Sequence, residues 1–303
     1  MNPDNICFVR AKMKEDYVFD GIRAMGYPIF IPYTDRDLLL RCIREGWFRL
    51  KLPGRQLFYN RRLKKTRADI FIVKDPLITP DFLRWLQATH RDARILLEYD
   101  NRVSRTIDPR QVPKGIELWS YDPQDCETYG MRRKTPNYLD LYRIRPDPQP
   151  IWDILYLGRD KGRAEALLAL QKEFESRGLR THFHICADRR YLQKQKSCYK
   201  PLLTYKEYLQ MLKKSRAILN IMPEGQRSIT QREMECVFDG IKCFTNNRAI
   251  REFPLYHPSR FFILGQDSLD RAKEFLQTEF LPISEEALEP YRYCHTIETM
   301  VGK

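Results

Sequence analysis

The stretch NIMPEGQRSITQREMECVFDGIKCFTNN, residues 220–247, decides the fold class. It predicts a strand that ends at Met222, a polar loop, a helix over Ile229–Phe238, and a second strand over Lys242–Thr245. The helix pattern stops at Gly240, a residue that commonly follows a helix end. Strand–helix–strand units of this kind build parallel sheets that are covered by helices.

The same alternation extends outward through both halves of the chain. Buried strands are predicted from short apolar runs at Ile6–Val9, Pro28–Pro32, Ala68–Val73, Arg94–Tyr99, Ile116–Trp119, Trp152–Leu157, Thr181–Cys186, Ala217–Met222, Lys242–Thr245 and Arg260–Leu264. Between the halves, residues 145–150 hold three prolines and little apolar content, which is typical of a stiff linker. We therefore expect an α/β protein with two parallel-sheet domains and a ligand cleft between them.

Composition narrows the class of protein. The 303 residues are 43% hydrophobic and 31% charged, as in soluble globular proteins. No apolar run approaches the roughly 20 residues that a membrane span needs, and no secretory signal is visible at the N-terminus. The eight cysteines are scattered without a Cys-x-x-Cys pair, which favours reduced thiols, a cytoplasmic location and no zinc site.

The charge favours a polyanionic partner. Fifty-three Lys and Arg against 40 Asp and Glu give a net charge of +13. Nucleic acid, an anionic membrane face and phosphorylated small molecules all fit, and so does a soluble protein with a basic surface. The densest basic run, residues 61–67, supplies Arg61, Arg62, Lys64 and Lys65 for a membrane or a phosphorylated lipid-linked acceptor, with nucleic acid or simple solvation as alternatives.

The start of the helix near residue 229 has the features of an anion site. Ser228 can cap this helix, whose unpaired N–H groups and dipole favour negative charge. Arg227 and Arg232 add forked donors suited to phosphate. Glu235, three residues after Arg232, can accept hydrogen bonds from ribose hydroxyls. Together they predict a nucleotide site; a capped surface helix with an ordinary Arg–Glu pair is the alternative.

A second basic loop follows a strand in the same half. Gly158, Arg159 and Lys161 lie where glycine lets the backbone approach a ligand and the cations can neutralise a leaving diphosphate. The Gly-Lys-Ser/Thr ending of a Walker loop is absent. A solvated turn between strand and helix remains the alternative.

In the N-terminal half, Asp100 ends a predicted strand and is the candidate general base for an acceptor hydroxyl. A turn-forming aspartate is the alternative, and Glu15 and Asp16 are weaker rivals. Asp35-Arg36-Asp37 matches a metal-binding Asp-x-Asp pattern, but its place at a helix start favours capping. No metal ligand set is predicted.

Several segments carry a family resemblance. The order of Glu235, Gly240 and the following strand resembles the donor-binding region of GT-B glycosyltransferases. Three further segments are similar to a group of bacterial lipopolysaccharide and capsule glycosyltransferases: SITQREME with the later TNN, WSYDPQDCETYG at 119–130, and LYLGRDKGR at 155–163. These matches span most of residues 94–265.

The resemblance implies a GT-B-like fold of two Rossmann-like domains facing across a cleft. Residues 1–145 would bind the acceptor, residues 151–282 would bind the donor, and residues 283–303 would form a helix that packs back on the first domain. Donor-binding positions are Gly158, Arg159, Lys161, Glu224, Gly225, Arg227, Ser228, Thr230, Arg232 and Glu235. Arg232 would also be catalytic, together with Asp100.

The implied activity is metal-independent, hexosyltransferase-like transfer from a nucleotide-sugar, which is a substrate and not a cofactor. The acceptor would be a saccharide or a lipid-linked saccharide in surface-polysaccharide synthesis. The protein would be cytoplasmic, with an inner-membrane surface as a further partner and no nucleic acid. Glu224 and Glu235 are separated by ten residues, where the widespread retaining pattern has seven, so retention or inversion stays open. The rival hypothesis is a basic α/β nucleic-acid-binding protein without catalysis.

Overall fold

The computed structural model describes residues 5–12, 16–34, 37–188, 197–223 and 227–302. The chain divides into two compact units, residues 1–134 with 300–303, and residues 135–299. Each unit contains one sheet of six parallel strands. The predicted α/β class with two parallel-sheet domains is confirmed.

The first unit has the strand order β2-β1-β3-β4-β5-β6. Its strands are β1 Ile6–Val9, β2 Ile29–Phe30, β3 Ile70–Lys74, β4 Arg94–Tyr99, β5 Glu117–Ser120 and β6 Arg132–Arg133. Its helices are α1 Tyr17–Ala24, α2 Leu38–Arg49, α3 Arg61–Lys65, α4 Pro80–Thr89 and α5 Pro123–Tyr129. The central strands are almost wholly buried, because helices and loops cover a parallel sheet on both faces.

The second unit has the strand order β12-β11-β10-β7-β8-β9. Its strands are β7 Trp152–Arg159, β8 Thr181–Cys186, β9 Tyr199–Lys200, β10 Ser215–Asn220, β11 Lys242–Thr245 and β12 Phe261–Ile263. Its helices are α6 Ala164–Ser176, α7 Tyr205–Lys213, α8 Gln231–Asp239, α9 Ala272–Gln277 and α10 Glu285–Leu288, and α11 Tyr293–Val301 ends the helical part of the chain.

Side chains that alternate in direction along the strands of the second unit form two hydrophobic clusters. Leu155 and Ile218 pack in one cluster with α7 and α8 side chains. Their strand neighbours Ile154 and Leu219 pack in the other, with α6 and α9 side chains. Successive strand residues point to opposite faces, so the sheet buries apolar side chains on both.

The predicted linker lies within the second unit by this division. The Asp147 N–H donates to the carbonyl of Lys213 at 2.8 Å, and the Ile151 N–H donates to the carbonyl of Lys214 at 3.0 Å. These bonds fix the segment to the end of α7. The functional division into acceptor and donor domains stays a prediction.

One predicted helix start is wrong. Helix α8 begins at Gln231, and its N-cap is Thr230, not Ser228. Thr230 and Glu233 form a reciprocal capping box, in which each side chain accepts from the other residue's backbone N–H. Threonine followed three residues later by glutamate satisfies two helix-end donors, so this pair fixes the start.

No helix in the described part of the chain is both long enough and apolar enough to cross a membrane.

Candidate functional site

A small cationic pocket lies at the carboxyl ends of β7 and β10 in the second unit. Its volume is about 130 Å³. It is lined by Tyr156, Gly158, Arg159, Lys161, Arg163, Ile221 and Arg232. Four predicted donor-site residues, Gly158, Arg159, Lys161 and Arg232, are therefore brought together in one place. Parallel α/β sheets bind ligands at this edge.

The turn after β7 is held in a defined shape. Lys161 has φ 48° and Gly162 has φ 82°, so the chain reverses through two left-handed residues. The buried carboxylate of Asp160 accepts from the Ala164 N–H at 2.5 Å and from the Tyr199 hydroxyl at 2.6 Å. The turn is thereby tied both to the start of α6 and to the edge strand β9, which orients the basic side chains beside it.

Backbone carbonyls hold two of the arginines. Arg232 donates one Nη2–H to the carbonyl of Leu157, and Arg163 donates from Nη1 to the carbonyl of Ile221. Within the described ranges, the Nε of Arg232 is buried and has no hydrogen-bond partner. A guanidinium has five N–H donors, so these bonds leave donors for a ligand.

Three of the four cations that line the pocket are arginines. Among the residues that the structure describes, no carboxylate forms an ion pair with Arg159, Arg163 or Arg232. Concentrated cations without carboxylate partners favour a polyanionic ligand. Arginine's forked donors match the oxygen geometry of phosphate.

Gly158 leaves room at the floor of the pocket. A Cβ at this position would lie 3.0 Å from the Tyr156 hydroxyl oxygen and 3.6 Å from Nη2 of Arg232. Any side chain would therefore crowd the Tyr156 hydroxyl and narrow the pocket beside Arg232. The sequence analysis identified the glycine and the basic loop that ends at Arg163, although Arg163 was not among the predicted donor positions. It missed Tyr156, for which the two-residue spacing from Gly158 on one strand was the available signal.

Glu235 lies beneath this site and not in its lining. It is 1% exposed. Its carboxylate accepts from the Tyr205 hydroxyl at 3.0 Å and from the Tyr208 hydroxyl. Burial raises the pKa of Glu235, whereas the Tyr208 bond and the Arg232 charge lower it. Its contact with ribose remains a prediction.

Glu233 holds the loops around the start of α8, a role that sequence reasoning missed. Its fully buried carboxylate accepts from the Thr230 N–H at 2.7 Å, the Thr245 hydroxyl at 3.0 Å and the Asn247 amide at 3.1 Å. The Asn247 amide also donates to the carbonyl of Ser228 at 3.4 Å. This carboxylate therefore joins the helix start to the loop after β11.

Three further predicted donor positions, Arg227, Ser228 and Thr230, are not among the residues that line the pocket. Ser228 is buried and Arg227 is exposed. Thr230 serves as the N-cap of α8. Glu224 and Gly225 lie outside the described residues.

Asp100 lies in a charged cluster in the first unit. Its carboxylate contacts Arg10 at 2.7 Å, Lys134 at 3.2 Å and Lys74 at 3.3 Å. Burial alone would raise the pKa of Asp100, but these three cations together hold it well below its usual value. Such a carboxylate is a weak proton acceptor. Neighbouring Asp75 behaves oppositely, because burial and the Asp100 charge raise its pKa to about 6.

The basic residues predicted to serve the acceptor side lie on the surface of the first unit. Arg61, Arg62, Lys64 and Lys65 are exposed on α3 around a buried Leu63. Asp37 caps α2 by accepting from the Leu40 N–H at 2.8 Å, as predicted, while Glu15 and Asp35 lie outside the described residues. No group of three His, Cys, Asp or Glu side chains arranged to hold a metal occurs among the described residues.

Comparisons with known proteins bear on the fold. No protein-family model matches the chain, and no curated protein matches its sequence. The structure is similar to the apo form of the lipopolysaccharide outer core galactosyltransferase WaaB, with 10% identity, 98% of each chain covered and a TM-score of 0.51. It is also similar to the spinosyn rhamnosyltransferase SpnG, with 9% identity, 98% of this chain and 91% of that chain covered, and a TM-score of 0.40.

At such low identity the likeness to WaaB establishes the architecture alone. Two six-stranded parallel sheets with flanking helices, matched over 98% of both chains, define a GT-B-like fold of two Rossmann-like domains.

Proposed function

We propose that this chain is a glycosyltransferase that takes a sugar from a nucleotide-sugar and attaches it to a saccharide or lipid-linked saccharide in bacterial surface-polysaccharide synthesis, of lipopolysaccharide or capsule. The observation that carries the proposal is the cationic pocket at the carboxyl ends of β7 and β10. The transfer is hexosyltransferase-like and metal-independent, and the nucleotide-sugar is consumed as a substrate.

The pocket cations would act on the diphosphate of the donor. As an acceptor oxygen bonds to the anomeric carbon, the bond from that carbon to the diphosphate oxygen breaks and negative charge grows on the leaving group. Arg159, Lys161, Arg163 and Arg232 stand where fixed positive charge can offset it without a metal. Because this charge grows during bond breaking, Arg232 would contribute more to turnover than to donor affinity.

The acceptor hydroxyl must lose its proton in the same reaction. Asp100 was the predicted base, but its three cationic contacts favour the ionised form and weaken it as a base. We keep Asp100 in the proposal as a group on the acceptor side, and leave the base unassigned.

The exposed basic residues of α3 would serve the acceptor side. Arg61, Arg62, Lys64 and Lys65 can attract a phosphorylated lipid-linked acceptor or the anionic inner face of a membrane. The protein would accordingly work in the cytoplasm and bind that membrane peripherally.

The same basic run also fits the rival hypothesis of nucleic-acid binding, so the test must separate the two. Thermal stability is measured with each of the five common nucleoside diphosphates, with the matching nucleosides, and with DNA and RNA oligomers. We expect one or more diphosphates to raise the melting temperature while the nucleosides do not. Stabilisation by the oligomers alone would contradict the proposal and favour the rival.

Transfer itself requires a second readout. The nucleotide that stabilises the protein identifies which nucleotide-sugars to test as donors. Slow hydrolysis of the donor, which releases the free nucleoside diphosphate, is then measured for wild type, Arg216→Ala and Arg232→Ala. Arg216 is exposed near the opposite end of β10 and pairs with Asp153 at 3.4 Å, so it is a matched charge control. Hydrolysis should fall in Arg232→Ala and persist in Arg216→Ala; equal rates in both variants would contradict the role of the pocket.

A further inference from the structure

Helix α2 exposes a stripe of apolar side chains and buries a charged one. Leu39 and Leu50 are each 70% exposed and Ile43 is 45% exposed. Leu50 is the C-cap residue of α2, and the spacing of four and eleven residues places all three side chains along one side of the helix. Arg44, on the other side, is 5% exposed, and its guanidinium lies 4.2 Å from the centre of the Tyr33 ring. This is the reverse of an ordinary surface helix.

Further exposed apolar side chains lie close to the stripe in the sequence. Leu38 is 76% exposed, Leu40 is 42% exposed and Leu57 is 65% exposed. Scattered exposed leucines need no explanation, but a concentration of them marks an interaction surface. Six of the eleven large, exposed hydrophobic side chains found in the described ranges lie between residues 38 and 57.

Positive charge is concentrated in the same part of the chain. Residues 37–67 contain ten Lys or Arg against only Asp37 and Glu45. Eight of the chain's thirteen net positive charges therefore fall within these 31 residues. Four of the basic residues, Arg61, Arg62, Lys64 and Lys65, are exposed on α3.

The exposed apolar side chains and the basic residues of this part of the chain together favour one kind of occupant. A second copy of this chain would bring an equal positive charge to the contact and be repelled. A bilayer with anionic lipids offers both an apolar layer for the leucines and negative headgroups for the cations.

We infer that α2 lies in the headgroup region of an anionic bilayer and inserts Leu39, Ile43 and Leu50, while neighbouring basic residues contact the headgroups. Aromatic side chains pack α2 against the rest of the first unit. Phe48 packs with its ring centre 5.7 Å from that of Tyr33 and 5.9 Å from that of Phe58. The inference concerns this surface alone and does not depend on sugar transfer.

Co-sedimentation with vesicles tests the surface. Wild type is compared on phosphatidylcholine vesicles with and without phosphatidylglycerol, at low and at physiological salt. The test variant carries Leu39→Ser, Ile43→Ser and Leu50→Ser. The control variant carries Leu141→Ser, Leu202→Ser and Leu281→Ser, which are 59%, 62% and 49% exposed elsewhere in the chain. All six positions are exposed, so melting temperatures should stay near that of wild type.

Wild type should bind only the anionic vesicles. The α2 variant should lose more than about tenfold in partition coefficient, and the control variant should not. Replacing Arg61, Arg62, Lys64 and Lys65 with Gln should weaken binding most at low salt. Absence of vesicle binding by wild type, or equal binding by both serine variants, would overturn the inference. So would a wild-type dimer in light scattering that the α2 substitutions dissociate, because the stripe would then bind a second copy.

Insertion can be observed directly through Cys42. This thiol is exposed on α2, and Cys294 is exposed on α11. An environment-sensitive dye on Cys42 in a Cys294→Ser background should shift to the blue with anionic vesicles. The same dye on Cys294 in a Cys42→Ser background should not shift. A blue shift at Cys294 alone would contradict insertion of α2.

Discussion

Individual arginines of the pocket are positioned by backbone carbonyls and not by carboxylates. Arg163 and Arg232 each donate to a carbonyl at the end of a neighbouring strand. A neutral acceptor orients the guanidinium without cancelling its charge, whereas an ion pair would do both. The cluster around Asp100 differs in this respect. Its three cations also contact Asp16 and Glu98, so three carboxylates offset three positive charges.

Replacing Glu235 should test whether it is structural or touches the donor. Its carboxylate accepts from Tyr205 and Tyr208 inside the second unit. Glu235→Ala leaves the buried Tyr208 hydroxyl without this acceptor, and we expect a loss of about 1–3 kcal/mol in the free energy of unfolding, measured by urea denaturation. Wild-type stability combined with weaker nucleotide-sugar binding would instead support the predicted ribose contact.

Asp239 should make stability depend on pH. Burial, with a further contribution from the Glu235 charge, raises its pKa to about 7, while it accepts from the Tyr138 hydroxyl at 3.0 Å and the Ile144 N–H at 3.0 Å. The unfolded state releases this carboxyl proton near pH 4, whereas the folded state keeps it up to about pH 7. The free energy of unfolding therefore falls as the pH rises from about 4 to 7.

Urea denaturation at pH 5 and pH 8 measures this effect in wild type and in Asp239→Asn. The loss of stability between the two pH values should be smaller in the variant, because its amide does not titrate. Other buried carboxyl groups titrate equally in both proteins, so only the difference is informative. Identical losses would show that Asp239 is ionised in the folded state throughout.

Among the elements, α8 connects the pocket to the fold, because its first turn carries Arg232. Thr230→Ala removes the N-cap and should cost about 1 kcal/mol of stability. It should also weaken nucleoside diphosphate binding, because the helix start would fray at the pocket.

Thr204→Ala is the matched control, since Thr204 and Glu207 form the same capping box on α7. We expect both variants to lose similar stability in urea denaturation and only Thr230→Ala to lose ligand affinity. Equal affinity in the two variants would show that the start of α8 does not shape the site.

The buried parallel strands could be predicted closely from the sequence. Arg94–Tyr99, Thr181–Cys186 and Lys242–Thr245 have the predicted bounds, because strands in the middle of a parallel sheet read as short runs rich in apolar residues. Two of the short edge strands, Arg132–Arg133 and Tyr199–Lys200, could not be predicted, since they carry no apolar run. The edge strand Ile29–Phe30 has one and lies within the predicted Pro28–Pro32.

The candidate site was predictable where its residues are local in sequence. The loop after β7 and the start of α8 each carry their own basic residues, and both were identified. The cluster around Asp100 was not, because Arg10, Lys74 and Lys134 come from distant segments that only the folded sheet brings together. Burial of Glu235 also depends on tyrosines about thirty residues away.

For the whole molecule, the fold limits the chemistry without specifying the substrate. A GT-B-like architecture at 10% identity to WaaB carries no information on which sugar or acceptor is used. The distribution of charge is more specific to this chain. Arginines without an ion-pair partner among the described residues line a pocket in the second unit, and the largest excess of positive charge lies around α2 and α3 in the first.

Transfer by the whole protein should not need a metal. The pocket cations can offset the diphosphate charge that a divalent ion would otherwise neutralise. Donor hydrolysis or transfer should continue at the wild-type rate with excess EDTA. Complete loss with EDTA that manganese or magnesium restores would contradict metal independence and return attention to Asp35 and Asp37.

The central claim, that the pocket after β7 holds the donor diphosphate, is tested most directly by calorimetric titration. Wild type, Arg159→Ala with Arg232→Ala, and Arg216→Ala are each titrated with the nucleoside diphosphate that stabilises the protein best. Each lost charge-assisted hydrogen bond should cost about 1.5–3 kcal/mol, or roughly 10- to 150-fold in affinity. We predict that the double pocket variant loses at least about 10-fold in affinity for the nucleoside diphosphate and that Arg216→Ala binds it as wild type does. Wild-type affinity in the double variant would contradict the account.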